Sequence, residues 1–392
     1  MKNVAEAEKD KFRLLFEHSS DGHLIMDDTG ITDCNDAAVA LVKCASRDDL
    51  LRIHPARLSP PFQPDGRASI EKATEMDRIA REKGFHRFEW VHRKMDGEDF
   101  PVQVTLNSIT INGKPSVIGV WHDLTEFKRN EDILRRANEK MKKDLDAASL
   151  IQRTMLPVAS PLIKGLKVSW AYRPCDELGG DSLNIFPLDD RHVGLFVLDV
   201  MGHGPAASLL SVAASHFLSP YSEASFVRAS NGGGALSLAR PASVAQRLNR
   251  HFSSNPENTQ FFTMLYGVLD VKSHEFCYIC AGHPLPVVLS STGRPRAVEG
   301  CGYPIGVAPD SEYSEMCLKL KPRDRLYLYS DGITEAKNAQ RDLFGEERLM
   351  QILERTRKDS LADSLDALVR AAESWADGKP DDDVTLLGCE FQ

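Results

Sequence analysis

Residues 123–156, "DLTEFKRNEDILRRANEKMKKDLDAASLIQRTML", contain neither glycine nor proline, and Pro157 follows directly. A run this charged and free of breakers has one stable backbone solution in water, a long helix that stops at the proline. Its apolar residues Leu134, Ala137, Met141, Ala148, Ile151 and Met155 recur at nearly heptad spacing. Asp144 interrupts that stripe, with Leu145 beside it. A stripe this narrow suits a seam between two helices better than the face of a globular core. The spacing predicts a coiled-coil linker over residues 127–156 that joins two globular parts and serves as a dimer contact. The simpler alternative is a single solvated helix.

With 392 residues and about 100–200 residues per domain, two or three domains are expected. The net charge of −9 argues against a protein that coats nucleic acid. The opening "MKNVAEAEKDKF" has no apolar core of a signal peptide. No apolar run approaches the ~18 residues a membrane helix needs. The expectation is a cytoplasmic protein with neither nucleic-acid nor membrane partners. The eight cysteines are scattered, so reduced thiols are expected. Cys277 and Cys280, in "CYIC", have metal-site spacing. They lie in a strand-like stretch where positions i and i+3 face opposite ways, and no second pair completes a zinc site. They read as two buried small apolar residues.

The flanking regions differ in texture. Before the helix, "HLIMDD" and "GITDCN" read as a hairpin turning at Asp28–Gly30, and "DAAVALVKCA" as a helix. Three further strands follow, broken at Asp96-Gly97 and Asn112-Gly113. The sum is an antiparallel sheet with helices on one side. After the helix, strands and helices alternate. Long apolar runs occur at "HVGLFVLDV", "FFTMLYGVLDV", "FCYICAG", "RLYLYSDG" and "DVTLLGCEF". Helical patterns occur at "PAASLLSVAASHFLS", "SVAQRLNRHF" and "ERLMQILERT". Residues 222–242, with three consecutive glycines, read as a loop, either a mobile lid or ordinary surface.

Chemistry concentrates where acids meet apolar strand ends. Asp181 follows a Gly-Gly pair, Asp199 ends "LFVLD", Asp331 ends "LYLYSD", and Asp381-Asp382-Asp383 opens the last strand. A single such aspartate is usually a cap or turn former. Four at separate strand ends point to convergence. Carboxylates gathered beside apolar walls repel and resist ionisation, so a cation must neutralise them. An all-oxygen set suits Mg²⁺ or Mn²⁺, and two such ions can activate water and clamp a phosphoryl group. The reading from the residues is binuclear, metal-assisted hydrolysis of a phosphate ester. His203, in the glycine turn "GHG", is not needed by such a site. His283, in "AGHP", reads as a structural turn.

Residues 150–390 resemble the SpoIIE-like branch of the metal-dependent protein phosphatases. The resemblance runs in order through "IQRTMLP", "ELGGDSLNIFPL", "LFVLDVMGHGPAASLL", "VAQRLNRHF", "FFTMLYGVLD", "CAGHPLPVVL", "GYPIGV", "LYLYSDGITEAKNAQRDLFGEERL" and "DDDVTLL". It implies an α-β-β-α sandwich that hydrolyses phosphoserine or phosphothreonine, typically on an anti-sigma-factor antagonist. It also implies roles: Asp199 bridging two metals with the Val200 carbonyl beside it, Asp181 on the second metal, Asp331 and Asp382 on the first. Many relatives carry an aspartate where this chain has Asn184, which weakens outer support of the metals and leaves a non-catalytic protein-binding module as the alternative. Residues 11–126, ending in "HDLTEFKR", resemble a PAS sensor domain; its motifs name no ligand. His54, His86 and His92 are available as haem ligands in principle but read more simply as surface or sheet histidines. The expected organisation is α+β throughout: a PAS sensor over 1–126, the transmitter helix over 127–156 and the phosphatase over 157–392. A homodimer is expected through the sensor and the helix.

Overall fold

A computed structural model describes residues 11, 13–51, 53–157, 163–231, 235–253 and 260–392. The chain divides into two compact units, Met1–Lys140 and Met141–Gln392.

In the first unit, β1 (Gly22–Asp27) and β2 (Gly30–Cys34) form the expected hairpin, with Asp27 opposite Gly30. Asn35 then starts α1 (Asp36–Leu41): its side chain accepts from the Ala38 amide. The helix is shorter than "DAAVALVKCA" suggests, because Lys43 takes a left-handed backbone (φ 54°) that ends it. Next come α2 (Arg47–Leu50), α3 (Ser69–Lys83), β3 (Phe85–Arg93), β4 (Asp99–Ile111) and β5 (Lys114–Asp123). The β4–β5 turn is Asn112-Gly113, with φ values of 50° and 79°, the paired positive φ that makes Asn-Gly a hairpin turn. All ladders are antiparallel, in the order β2-β1-β5-β4-β3. One apolar cluster joins the inner face of this sheet to Ala38, Leu50, Met76 and Ala80 of the helices. Between them lies a cavity of about 290 Å³, walled by Phe88, Trp90, Leu106 and the imidazole of His92.

α4 (Thr125–Arg153) begins in the first unit and ends in the second. Its 29 residues match the breaker-free run closely. The stripe residues Leu134, Met141 and Ile151 are exposed, and the one buried residue of the helix is polar, Gln152.

The second unit contains two five-stranded antiparallel sheets. Its elements are β6 (Leu166–Arg173), β7 (Ser182–Pro187), β8 (His192–Val200), α5 (Pro205–Leu218), β9 (Arg228–Asn231), β10 (Ala235–Leu238), α6 (Pro241–Ser253), β11 (Phe262–Asp270), β12 (Glu275–Ala281), β13 (Val287–Leu289), β14 (Arg296–Ala297), β15 (Met316–Lys319), β16 (Arg325–Tyr329), α7 (Asp331–Thr334), α8 (Gly345–Arg355), α9 (Leu361–Trp375) and β17 (Val384–Phe391). The sheets run β15-β12-β11-β8-β7 and β14-β13-β16-β17-β6. Alternation along β8 explains its continuous apolar run. Val193, Leu195 and Val197 face the core between the sheets, while Phe196, Leu198 and Val200 face α5 and α6. On the far side, Tyr327, Tyr329 and Leu386 pack on α7, α8 and α9. The result is the expected α-β-β-α sandwich.

Two readings need correction. The stretch 222–242 is not all loop: β9 and β10 pair within it, and its three glycines lie outside the described residues. Nor are all cysteines reduced. Cys277 and Cys317 are register partners on β12 and β15, with Cα atoms 4.1 Å apart, and form a disulfide. Strand pairing, invisible in the "CYIC" spacing, brings these sulfurs together. Cys280, on the other face, is the buried thiol expected and donates to the His283 carbonyl at 2.9 Å.

Candidate metal centre

The pleat decides where each acid goes. On β8, Asp199 has the parity of Val197 and Leu195, so it continues the face between the sheets. Asp181 precedes β7 in register with Leu183 and Ile185, which face the same core. Asp331 leaves the end of β16 in the opposite sheet and opens α7. Asp382 lies two residues before β17. All four thus meet at one open end of the sandwich, where rigid strands hold the backbone and the tips leave the apolar core.

Two glycines make the approach of these loops possible. A Cβ on Gly180 would stand 3.0 Å from the Val200 carbonyl, so the Asp181 loop and the end of β8 touch backbone to backbone. A Cβ on Gly332 would fall 2.1 Å from the Asp383 carbonyl. The Ser-Asp-Gly turn therefore sits directly on the Asp382-Asp383 segment.

The electrostatics are those of an uncompensated anion cluster. Burial is the main force raising the Asp199 carboxyl, to about 7, with Asp331 and Asp382 adding repulsion. Asp331 is raised to about 6 by burial and then by Asp382. Asp382 is raised by burial, partly offset by the Asp383 amide that donates to its Oδ1 at 2.8 Å. Asp181, 2% exposed, is pushed well above the usual carboxylate range by burial, then by Asp199 and Asp383. The hydroxyls of Thr385 and Ser330 offset only part of this. Asp181 Oδ2 and Asp331 Oδ1 are buried without a hydrogen-bond partner. Buried oxygens left unpaired in one cluster are what a cation would satisfy.

The carboxylates are spread rather than packed around one point. Among the described residues, no three of them bring oxygens all within 4.8 Å of one another. Asp199 is within hydrogen-bonding reach of Asp181 and feels the repulsion of Asp331 and Asp382. The one compact trio, Cys277, Glu315 and Cys317, has its sulfurs bonded to each other.

The acid that sequence reading passed over is Asp383. It is 2% exposed, and its two oxygens accept from the Cys175 amide (2.7 Å) and the Asp181 amide (3.2 Å). It therefore holds the loop that delivers Asp181. His283, read as a turn residue, is buried on the site side of β11. Its Nδ1 is 2.7 Å from Thr263 Oγ1, and Thr263 is the cross-strand partner of Asp199. His203 is exposed, with Nδ1 3.5 Å from Asp176.

The end of α4 grips the same loop. The buried Gln152 amide donates to the Gly179 carbonyl at 2.7 Å and accepts from the Gly179 amide at 3.3 Å. Just past the helix, the Met155 carbonyl accepts from Asn184 Nδ2 at 3.3 Å. These contacts bracket Asp181 on both sides. Asn184 is thereby engaged with the segment just past the helix end.

Comparison with known proteins agrees with this architecture. Residues 189–392 match the family described as stage II sporulation protein E (SpoIIE), and residues 20–126 match the PAS domain. Protein IcfG of Synechocystis sp. (strain ATCC 27184 / PCC 6803 / Kazusa) is 24% identical over 62% of this chain and 41% of its own length. Phosphoserine phosphatase RsbP of Bacillus subtilis (strain 168) is 28% identical over 50% of this chain and 46% of its own. The chain thus spans less than half the length of either relative. The SiaA-PP2C domain of Pseudomonas aeruginosa shares the fold, with a TM-score of 0.54 and 21% identity over 65% of this chain and 99% of that one. With more than half of its residues inside the first match, the chain belongs to the stage II sporulation protein E (SpoIIE) family.

Proposed function

We propose that this chain is a signal-regulated protein serine/threonine phosphatase. The observation that carries the reading is the meeting of Asp181, Asp199, Asp331 and Asp382 at one end of the sandwich, two of them with unpaired buried oxygens. Two divalent ions, Mn²⁺ or Mg²⁺, would supply the activated water and neutralise the phosphoryl group. The residues' own part is positioning. Asp199 and the Val200 carbonyl would be among the groups that hold the ions. Asp181 would hold the second ion, and Asp331 and Asp382 the first. Asp383 keeps the Asp181 loop in place.

The substrate in this reading is phosphoserine or phosphothreonine on a regulatory protein of the anti-sigma-factor antagonist type. The name of the relative RsbP, a phosphoserine phosphatase, supports the chemistry. Residues 1–126 are the sensor, 127–156 the transmitter and 157–392 the catalytic domain, in a cytoplasmic homodimer joined through the sensor and α4. The exposed stripe of α4 supports that contact. The hydrogen bonds of Gln152 to Gly179 and of the Met155 carbonyl to Asn184, on either side of Asp181, give the helix end a direct grip on the site. A coupling of about 1–3 kcal/mol is the usual scale for such control.

The test is hydrolysis of p-nitrophenyl phosphate and of a phosphoseryl peptide with added Mn²⁺, comparing the native chain with Asp199→Asn. Turnover by the native chain and its loss in the variant are expected. No turnover at any Mn²⁺ concentration would sink the enzymatic reading.

A further inference from the structure

Beside Asp382, the second unit carries a cleft of about 380 Å³. Asp382 lies in its wall, so the cleft opens onto the carboxylate cluster. Three cationic side chains line it: Arg153 from the last turn of α4, Arg173 from the end of β6, and Lys379 from the loop before β17. Among the described residues none of the three has a carboxylate within ion-pair distance. Arg173 donates to the Tyr172 carbonyl at 3.1 Å. Cations left without a counter-ion in a concave site prepare it for an anionic ligand, and guanidinium groups match phosphate and carboxylate oxygens two at a time.

The same walls carry five acids: Asp146 of α4, Asp176, Glu177, Glu373 of α9 and Asp382 itself. They repel a polyanion. With five acids against three cations, the lining fits one phosphorylated residue in a segment that is otherwise neutral or basic, not nucleic acid or an acidic tail. The volume lies within the range of sites that hold a short peptide segment or a small molecule.

We propose that this cleft receives the phosphoserine-bearing segment of the protein substrate, and that α4 completes it by supplying Arg153. The proposal rests on the phosphatase reading above. It adds a second route for the helix. Gln152 acts on the Asp181 loop, while Arg153, the next residue, acts on substrate. A turn of the helix that moves one moves the other, so substrate affinity and the metal site change together.

The experiment uses the full chain with Mn²⁺ and three substrates: p-nitrophenyl phosphate, a phosphoseryl nonapeptide flanked by alanines, and one flanked by glutamates. Arg153→Ala and Arg173→Ala should each raise KM for a phosphopeptide by about tenfold or more, with kcat changed far less. The corresponding Lys variants should recover part of the loss. A rise in KM for all three substrates assigns the arginines to the phosphate. A rise confined to the glutamate-flanked peptide assigns them to neighbouring carboxylates. Either upholds the cleft. KM values within twofold of the native chain for all three would overturn the proposal while leaving the phosphatase reading intact. Binding of the fluorescent phosphopeptides, followed by anisotropy in the Asp199→Asn background, gives the same comparison without turnover. Should the native chain prove inactive, it separates the two failures.

Discussion

His92 in the first unit and Asp199 in the second are both ionisable side chains carried inward by a strand, and burial treats them in opposite ways. His92 is 2% exposed on β3, with Nδ1 2.9 Å from the Leu58 carbonyl and Nε2 unpartnered. Burial lowers its pKa to about 4, so the neutral ring simply sheds its proton and stays. Asp199 has no such exit. Burial raises it to about 7, with other acids beside it adding repulsion. A histidine solves its burial with a proton; four carboxylates need a cation. One unit is thus stable as it stands, while the other holds electrostatic strain that a cation would relieve.

The sharpest way to break this comparison is Asp199→Asn. Loss of hydrolysis by a factor on the order of 10²–10³ or more is expected, the scale of removing one transition-state contact. The metal-free variant should melt higher than the metal-free native chain at pH 8, because a neutral amide replaces a carboxylate whose ionisation the fold resists. Added Mn²⁺ should reverse that order. Thermal melts with and without metal check both points, and identical melts would refute the strain.

The pH dependences should carry opposite signs. For a raised carboxyl such as Asp199, the unfolded chain releases its proton first, so its stability contribution falls as pH rises from about 4 to about 7. For a lowered histidine such as His92, the unfolded chain binds the proton first. Its contribution is present above about 6.5 and is lost as pH falls towards about 4. His92→Phe should remove on the order of 3 kcal/mol of that acid-side loss, at ~1.4 kcal/mol per pH unit. Urea unfolding at pH 7.5 and 4.5 measures it. His283, lowered to about 3 by burial in the second unit, acts in the same direction as His92, so the variant must be compared with the native chain at each pH.

Smaller effects separate neighbours. Asp383→Asn should weaken Mn²⁺ binding by about 10–100-fold, the scale for groups that orient ligands, because an amide cannot accept from both the Cys175 and Asp181 amides. Titration calorimetry reads this, and unchanged affinity would demote Asp383 to a fold residue. Gln152→Ala, which deletes two hydrogen bonds to Gly179, should cost about 1–2 kcal/mol at the Asp181 loop. It should appear as a shift of several-fold in the Mn²⁺ concentration for half-maximal rate.

Much of this was legible in the chain. Acids at the ends of apolar runs marked the site, since a strand end is where a fixed backbone meets solvent. Alternating and continuous apolar runs marked β8, β11 and β17. The helix "LADSLDALVRAAESW" was not singled out, although as α9 it buries Leu365, Leu368 and Val369. The fate of Asn184 was not legible either, because its partner, the Met155 carbonyl, belongs to a segment 29 residues away.

The sequence by itself determined the long helix, the two textures on either side and the four acids, because each is a local pattern written in a few consecutive residues. Only the tertiary structure decided where each acid sits. Asp382 and Asp383 are identical neighbours, yet one borders the open cleft and the other is buried holding the Asp181 loop. It likewise decided that Cys277 finds Cys317, and that a glutamine is the one buried residue of a solvated helix. Such outcomes depend on which strands lie side by side and in what register, and those are properties of contacts between distant segments that no window of the chain contains.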